Sequence, residues 1–344
     1  MSQSPLPAVS VLVLLSLTLA SCATGGGSGG TPDTPPTVIS VSPANGARGV
    51  KSDARIVVTF SKAMDQAATQ AAYQSADLPG TAVTFAWSAG DTVLSIQPNT
   101  LLTYAQGSSF TAVAKRYDFS LTGTAKDKAG KTLGLTTSGF TTLRDITVAL
   151  PIVAALDGEE YRVGSNFASV LNAPVIHVGD TLGGGGIRGL LTFDLSAIPA
   201  DIAAAPLAAT LKLRKNVVDG DPYTALNPCI PTKTSPCASL FVPVTLEHVN
   251  FGTALLVGAA YNTPALHELG AIDSHSVPQN TEVKASVLVA VQDDLANRVL
   301  RDNRSQYRLS FPKESNGDSS PDTVAFAAGE SGTPPSIAVE YRVP

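Results

Sequence analysis

The residues best suited to chemistry are few. Asp157, Glu159 and Glu160 crowd the stretch DGEE at 157–160, and neighbouring carboxylates are the raw material for glycoside hydrolysis or for the oxygen shell of calcium. A turn whose acids face solvent accounts for them more simply, with little burial to move their pKa values. No catalytic residue, metal site or cofactor is therefore assigned; were an ion held, calcium on Asp157, Glu159 and Glu160 is the candidate. NGDSSPD at 316–322 also offers oxygens but lacks the full calcium-loop spacing.

The spacings that mark nucleophiles, metals and phosphates fail one by one. In GESG at 329–332 the second glycine of a nucleophile elbow is replaced by Thr333. In HELGAIDSH at 267–275 Ala271 stands where a zinc-binding helix needs its second histidine. GGGG at 183–186 precedes a strand instead of following one, so it reads as a mobile loop and not as a phosphate cradle. His177, His248, His267 and His275 are scattered along the chain, and His177 and His248 lie in apolar strand contexts where a satisfied structural role is expected.

Cysteine is rare and informative. Cys229 and Cys237 flank IPTKTSP in a proline-rich excursion between two strands, a disulfide candidate in an exported chain. Closing so small a loop stabilises by about 2.5 kcal/mol on a chain-entropy estimate. No second Cys or His pair stands at ligand spacing, so zinc is not implied.

The elements that must position these residues emerge from composition. A chain of 344 residues corresponds to about two domains, and 44% apolar residues suffice for packed cores. Only 15% of residues are charged and the net charge is −5, so no basic surface exists to neutralise phosphates and nucleic acid is not a partner. Abundant Gly, Pro, Ser, Thr, Ala and Val beside sparse Lys and Glu predict many short strands and an all-β fold.

Residues 1–21 read as an export signal. Val9 to Ala20 is apolar but too short to span a bilayer, although MSQSPLPA lacks the usual basic residues. LASC at 19–22 resembles the lipobox of bacterial lipoproteins, which implies that Cys22 becomes the lipidated N-terminus and that the membrane is a partner through this anchor. Thioether formation to a diacylglycerol needs a nucleophilic sulfur, and each buried methylene adds about 0.8 kcal/mol. The Gly/Ser/Pro-rich segment behind it, within 22–37, is a flexible tether that holds the folded part of the chain roughly 20 Å from the membrane. The location implied is the cell envelope, with Ala23 pointing to the outer membrane in a Gram-negative cell.

Residues 38–144 punctuate themselves as short strands at intervals of about 10 to 15 residues, among them TVISVSP, DARIVVTFS, TVLSIQP and SSFTAVAK, the spacing of a β-sandwich. SVSPANGARGVKSDARIVVTFSKAMD, with Ser42, Pro43, Gly46, Phe60, Ser61, Met64 and Asp65, resembles the bacterial Ig-like domains of surface proteins, and TTSGFTTL fits their last strand. Phe60 and Met64 are expected in the core. Asp65 is expected to cap the helical turn after it. Trp87 is expected at a core or half-buried strand position, although a lone tryptophan is also a sugar-stacking platform.

Residues 145–344 carry strand signals at DITVALPIVAAL, RGLLTFDLSAI, AATLKLRKNVV, SLFVPVTLEHV, QYRLSFPK, DTVAFAAG and SIAVEYRV. One short helix is expected in VAVQDDLANRVLRD, with Val291, Leu295 and Val299 along one face. RGLLTFDLSAIP at 188–199, ATLKL at 209–213, a strand then a helix near 285–301, and VAFAAGES with PPSIAVEY at 324–341 resemble DNRLRE-type jelly-roll domains of bacterial surface proteins, some of them related to polysaccharide-binding modules. The tryptophan-bearing stretch of that pattern is not evident here.

The reading is thus a non-catalytic cell-surface lipoprotein displaying a jelly-roll on an Ig-like stalk, structural or adhesive, with a polysaccharide or another envelope component as partner. A polysaccharide-binding module is the alternative. A glycan-active enzyme stands third, because it needs a carboxylate pair or a positioned base that the spacing does not show.

Overall fold

Alternating apolar residues between Gly/Pro/Asn turns commit most of the chain to strands. A computed structural model describes residues 34–229, 239–255 and 257–344. The first block contains β1 (Val38–Ser42), β2 (Ala47–Val50), β3 (Ile56–Phe60), the helix α1 (Gln66–Ala71) and β4 (Tyr73–Gln74). It continues through β5 (Val83–Ser88), β6 (Val93–Pro98), β7 (Ala105–Gly107), β8 (Arg116–Leu121) and β9 (Thr136–Thr142). Two four-stranded sheets, ordered β1-β3-β6-β5 and β2-β9-β8-β4, face each other. Their inward alternation buries Ile56, Val58, Phe60, Leu94, Ile96, Phe119 and Phe140 in one core.

Met64 is fully buried beside them. Asp65 caps α1, its Oδ1 accepting the Ala68 N–H at 2.9 Å. Trp87 is half-buried on β5 and packs on Phe60 with ring centroids 6.1 Å apart. SSFTAVAK is not a strand: residues 108–115 form a turn and an irregular segment ahead of β8, leaving Phe110 exposed.

The second block opens with β10 (Arg144–Pro151), β11 (Gly158–Val163), β12 (Asn166–Leu171) and β13 (Val175–Asp180). Next come β14 (Gly186–Asp194), β15 (Ala208–Asp219), α2 (Pro222–Ala225), β16 (Val244–Val249), α3 (Ala259–Asn262) and β17 (His267–Asp273). The chain closes with β18 (Thr281–Ser286), α4 (Leu288–Ala296), β19 (Arg304–Ser310), β20 (Asp322–Ala327) and β21 (Ser336–Val343). These strands join one curled sheet along the path β17-β16-β19-β14-β13-β20-β15-β21-β10-β7, with β11 and β12 added at β14 and β18 at β15. The sheet curls around a core that includes Leu191, Leu211, Leu246, Leu309, Phe326 and Val339. The chain is all-β.

Three expectations for this block are corrected. It has three short α-helices where one was expected, because α2 and α3 are single turns inside connections that look irregular in sequence. The helical face ends early: α4 stops at Ala296, so Val291 is buried while Val299 is exposed. The glycines at 183–186 form a pinned turn, with Thr181 N–H bonded to Gly185 O at 2.8 Å and Gly185 N–H to Thr181 Oγ1 at 3.0 Å. A Cβ on Gly185 would lie 2.5 Å from Arg162 O, which is why glycine stands there.

Residues 36–344 form one unit, and the blocks interlock across the 144–145 boundary. β7 leaves the sandwich and pairs in parallel with β10 (Arg144 opposite Ala105, Ile146 opposite Gly107). Ala112 is part of the core of the second block. Arg144 bonds the Ala112 carbonyl at 3.2 Å, and the Arg342 guanidinium lies 4.9 Å from the centre of the Tyr104 ring.

Candidate functional site

The acids at 157–160 do not form a solvated turn. Glu159 and Glu160 are consecutive residues of β11, so their side chains leave opposite faces of the strand, and both are buried. Diverging carboxylates cannot flank one glycosidic bond as a catalytic pair, nor share one calcium ion.

Each acid has its own task. Glu160 reaches the start of α3, accepting the N–H groups of Gly258 at 3.1 Å and Tyr261 at 2.5 Å. Burial nonetheless pushes its carboxyl upward, against those two hydrogen bonds and the charge of Arg308. Asp157 follows a 3-10 turn at Ala154–Leu156 and is fully buried. Burial pushes its pKa up to about 7, although Gly329 N–H donates to its Oδ2 at 2.6 Å. Its Oδ1 has no partner among the described residues.

Glu159 is the acid with a chemically interesting neighbour. His177 Nδ1 lies 2.9 Å from Glu159 Oε2, the His177 backbone N–H donates to the same oxygen, and the Tyr161 hydroxyl donates to Oε1. The hydrogen bond that the ring donates to Glu159 raises the pKa of His177 above its ordinary value; burial opposes the shift, and the charges of Glu159 and Asp219 support it. The imidazole is 39% exposed, so its outer edge meets solvent.

That edge belongs to a groove of about 380 Å³ on the outer face of the curled sheet. Strand register builds it. Val217 of β15, Ala325 of β20 and His177 of β13 stand in one row, and Asp219 and Thr323 stand in the next row of the same face. Leu211, Leu213 and Lys215 point inward, so Val217 would continue their series. A bulge between Lys215 and Val217 shifts the alternation and turns Val217 out to the groove, 53% exposed. Small and apolar Val217 and Ala325 thus sit among His177, Asn216, Asp219 and Thr323, side chains able to donate and accept hydrogen bonds. The groove thus sets an imidazole, a carboxylate, an amide and a hydroxyl around a small apolar floor.

The other expected positions are scattered. Cys22 and Cys237 lie outside the described residues; Cys229 comes shortly after α2, its N–H bonded to Asn227 Oδ1 at 3.0 Å. His275 stacks on Phe241 with ring centroids 4.0 Å apart, beside a second groove of about 420 Å³. Residues 316–322 wrap around Asp180, whose carboxylate accepts the N–H groups of Asn316 and Asp322 at 3.1 and 2.9 Å. The Glu159–His177 pair escapes sequence reasoning because its members lie 18 residues apart on different strands. No local pattern marks it, because the acids of β11 interrupt the alternation by which a strand is recognised.

No curated protein matches the chain. Among solved structures it is similar to the N-terminal part of the bacterial S-layer protein SbsC, at 15% identity over 46% of this chain and 41% of that one, TM-score 0.22. It is similar to an L,D-transpeptidase from Mycobacterium smegmatis at 17% identity, over 58% and 71% of the two chains, TM-score 0.24. It is also similar to SGBP-B of the Bacteroides ovatus mixed-linkage glucan utilization locus, solved with a mixed-linkage heptasaccharide, at 10% identity over 91% and 77%, TM-score 0.18. Scores of this size place none of these proteins as a guide to function. The sandwich of the first block is a different matter: residues 32–142 match the bacterial Ig-like domain family.

Proposed function

We propose that the chain is a non-catalytic, lipid-anchored protein of the bacterial cell envelope, in which an Ig-like module and a jelly-roll of DNRLRE type form one structural or adhesive unit. The observation that carries this reading is the match of residues 32–142 to bacterial Ig-like domains, modules of surface proteins. The interlocked sheet supports it, because β7 joins the modules through backbone hydrogen bonds where a flexible linker would leave them free. Cys22 supplies the anchor, the membrane is the partner through its lipid, and in a Gram-negative cell the location is the outer membrane.

A second reading rests on the groove beside His177: a polysaccharide-binding surface, with Val217 and Ala325 under the sugar face and His177, Asn216, Asp219 and Thr323 bonding its hydroxyls.

Fractionation of cells expressing the full chain tests the first reading. Wild-type protein is expected in the membrane fraction and Cys22→Ala in the soluble fraction; a variant that stays membrane-bound at wild-type level overturns the anchor. A glycan array probed with the protein lacking residues 1–37 tests the second. Binding lost on Val217→Asp supports the groove, and binding unaffected by that change places recognition elsewhere.

A further inference from the structure

The hairpin of β16 and β17 brings together two histidines that lie far apart in sequence. His248 and His267 are direct cross-strand partners, their rings nearly parallel at 3° with centroids 5.4 Å apart. Helix α4 lies against them and presents Asp293 and Asp294. One donor atom from each of His248, His267 and Asp293 lies within 4.8 Å of the other two. We propose that these three side chains form a binding site for a divalent transition-metal ion of the zinc type, which ties the β16–β17 hairpin to helix α4.

The donor set selects the ion. Two imidazoles and a carboxylate suit zinc and its first-row neighbours, whereas calcium and magnesium take oxygen ligands. Adjacent ligand atoms around a tetrahedral zinc stand about 3.3 Å apart, from bonds near 2.0–2.1 Å. His267 Nε2 and Asp293 Oδ2 are already at 3.5 Å, so the closing movement required is that of His248.

The surroundings resemble the outer layer that orients metal ligands. Asp294 holds His248 Nε2 with both oxygens, at 2.9 and 3.0 Å. His248 Nδ1 is buried and has no partner among the described residues. It carries the available lone pair, and Nε2 can offer one only by giving up Asp294. Asn297 Nδ2 donates to Asp293 Oδ1 at 3.0 Å, and an Arg301 guanidinium nitrogen lies 2.8 Å from Asp293 Oδ2 and 2.5 Å from Asp294 Oδ1. Two carboxylates against one guanidinium leave a single negative charge when both imidazoles are neutral, which a divalent cation reverses. His248 forms the closed back wall, while His267 and Asp293 are 37% and 30% exposed and leave an entry path and an open coordination position.

The site acts on an edge. β17 ends the path of the curled sheet, with β16 as its partner along that path, so a metal shared by both strands and α4 would restrain fraying there. A ligand that binds only the folded state raises its stability in proportion to the logarithm of its concentration.

The test uses the purified chain after treatment with a chelator. Wild type is expected to retain one zinc per chain after dialysis, to melt at higher temperature with zinc chloride than without, and to show no such shift with calcium chloride. Cobalt(II) is expected to give the visible absorption of a tetrahedral nitrogen–oxygen site. His267→Ala and Asp293→Asn, both at half-exposed positions, should keep the far-ultraviolet circular dichroism of wild type while losing the stoichiometric zinc, the thermal shift and the cobalt band. Failure of wild type to retain zinc overturns the proposal, as does retention by both variants, which would put the ion on other residues. An equal thermal shift with calcium also overturns it.

Discussion

Lys215 and Asp273 meet in the core of the curled sheet, Nζ 3.1 Å from Oδ2, with both side chains withdrawn from solvent. Tyr223 completes the contact: its hydroxyl accepts from Lys215 Nζ at 2.6 Å and donates to Asp273 Oδ2 at 2.5 Å. Val277 O takes a further Lys215 hydrogen at 2.8 Å. Burying two charges is costly, and removal of one leaves the other uncompensated. Asp273→Ala is expected to destabilise the chain by about 3–5 kcal/mol in urea denaturation. The triple change of Lys215→Met, Asp273→Leu and Tyr223→Phe should lie closer to wild type than Asp273→Ala does. A single variant that costs no more than a surface substitution would show that water reaches the pair.

Asp157 links stability to pH. With its pKa raised from 3.8 to about 7, the folded chain holds a proton that the unfolded chain releases. Stability from this group is therefore greatest below pH 3.8, declines as pH rises towards 7, and is flat above. Asp157→Asn mimics the protonated form, so it should stabilise the protein at pH 8 by up to about 4 kcal/mol, roughly three pKa units at 1.36 kcal/mol each, and do little below pH 3.8. Denaturation curves at the two pH values decide it, and an equal effect at both would mean that Asp157 does not titrate between them.

His177 has the same sign in a higher pH window. Its folded pKa is raised above 6.5, so the Glu159 contact contributes fully below pH 6.5 and fades as pH climbs through the folded value. Proton NMR of the ring should place its titration above 6.5 in wild type and lower in Glu159→Gln. The same midpoint in both proteins would remove Glu159 as the cause.

Cys229 and Cys237 are expected to be joined in the exported protein. Mass spectrometry of a non-reduced digest should recover the peptides containing them as one species. Two alkylatable thiols in the intact protein would show that the loop is left open.

Legibility in the sequence tracked charge. Strands with continuous apolar alternation, such as β10, β14 and β21, stand out in the chain. β11 (GEEYRV) and β17 (HELGAID) do not, because acids and histidines interrupt the pattern that marks a half-buried strand. Those two strands carry Glu159 and His267, so the segments hardest to recognise hold the residues of most interest. Lys215 was within reach, since it continues the inward series of Leu211 and Leu213. The pairing of His248 with His267 was not, because register is set by turns and packing that no local pattern encodes.

The place of β10 bears on how the chain is built in time. Along the sheet it lies between β7, at residues 105–107, and β21, which ends at residue 343. For a chain that emerges N-terminus first, β10 can meet β7 at once, whereas its other neighbour, β21, appears only at residues 336–343. The Ig-like sandwich has a core of its own and can gather it early, while the free edge of β10 stays open until β21 is made. Loss of β21 would therefore be felt as far upstream as Tyr104, whose ring faces the Arg342 guanidinium.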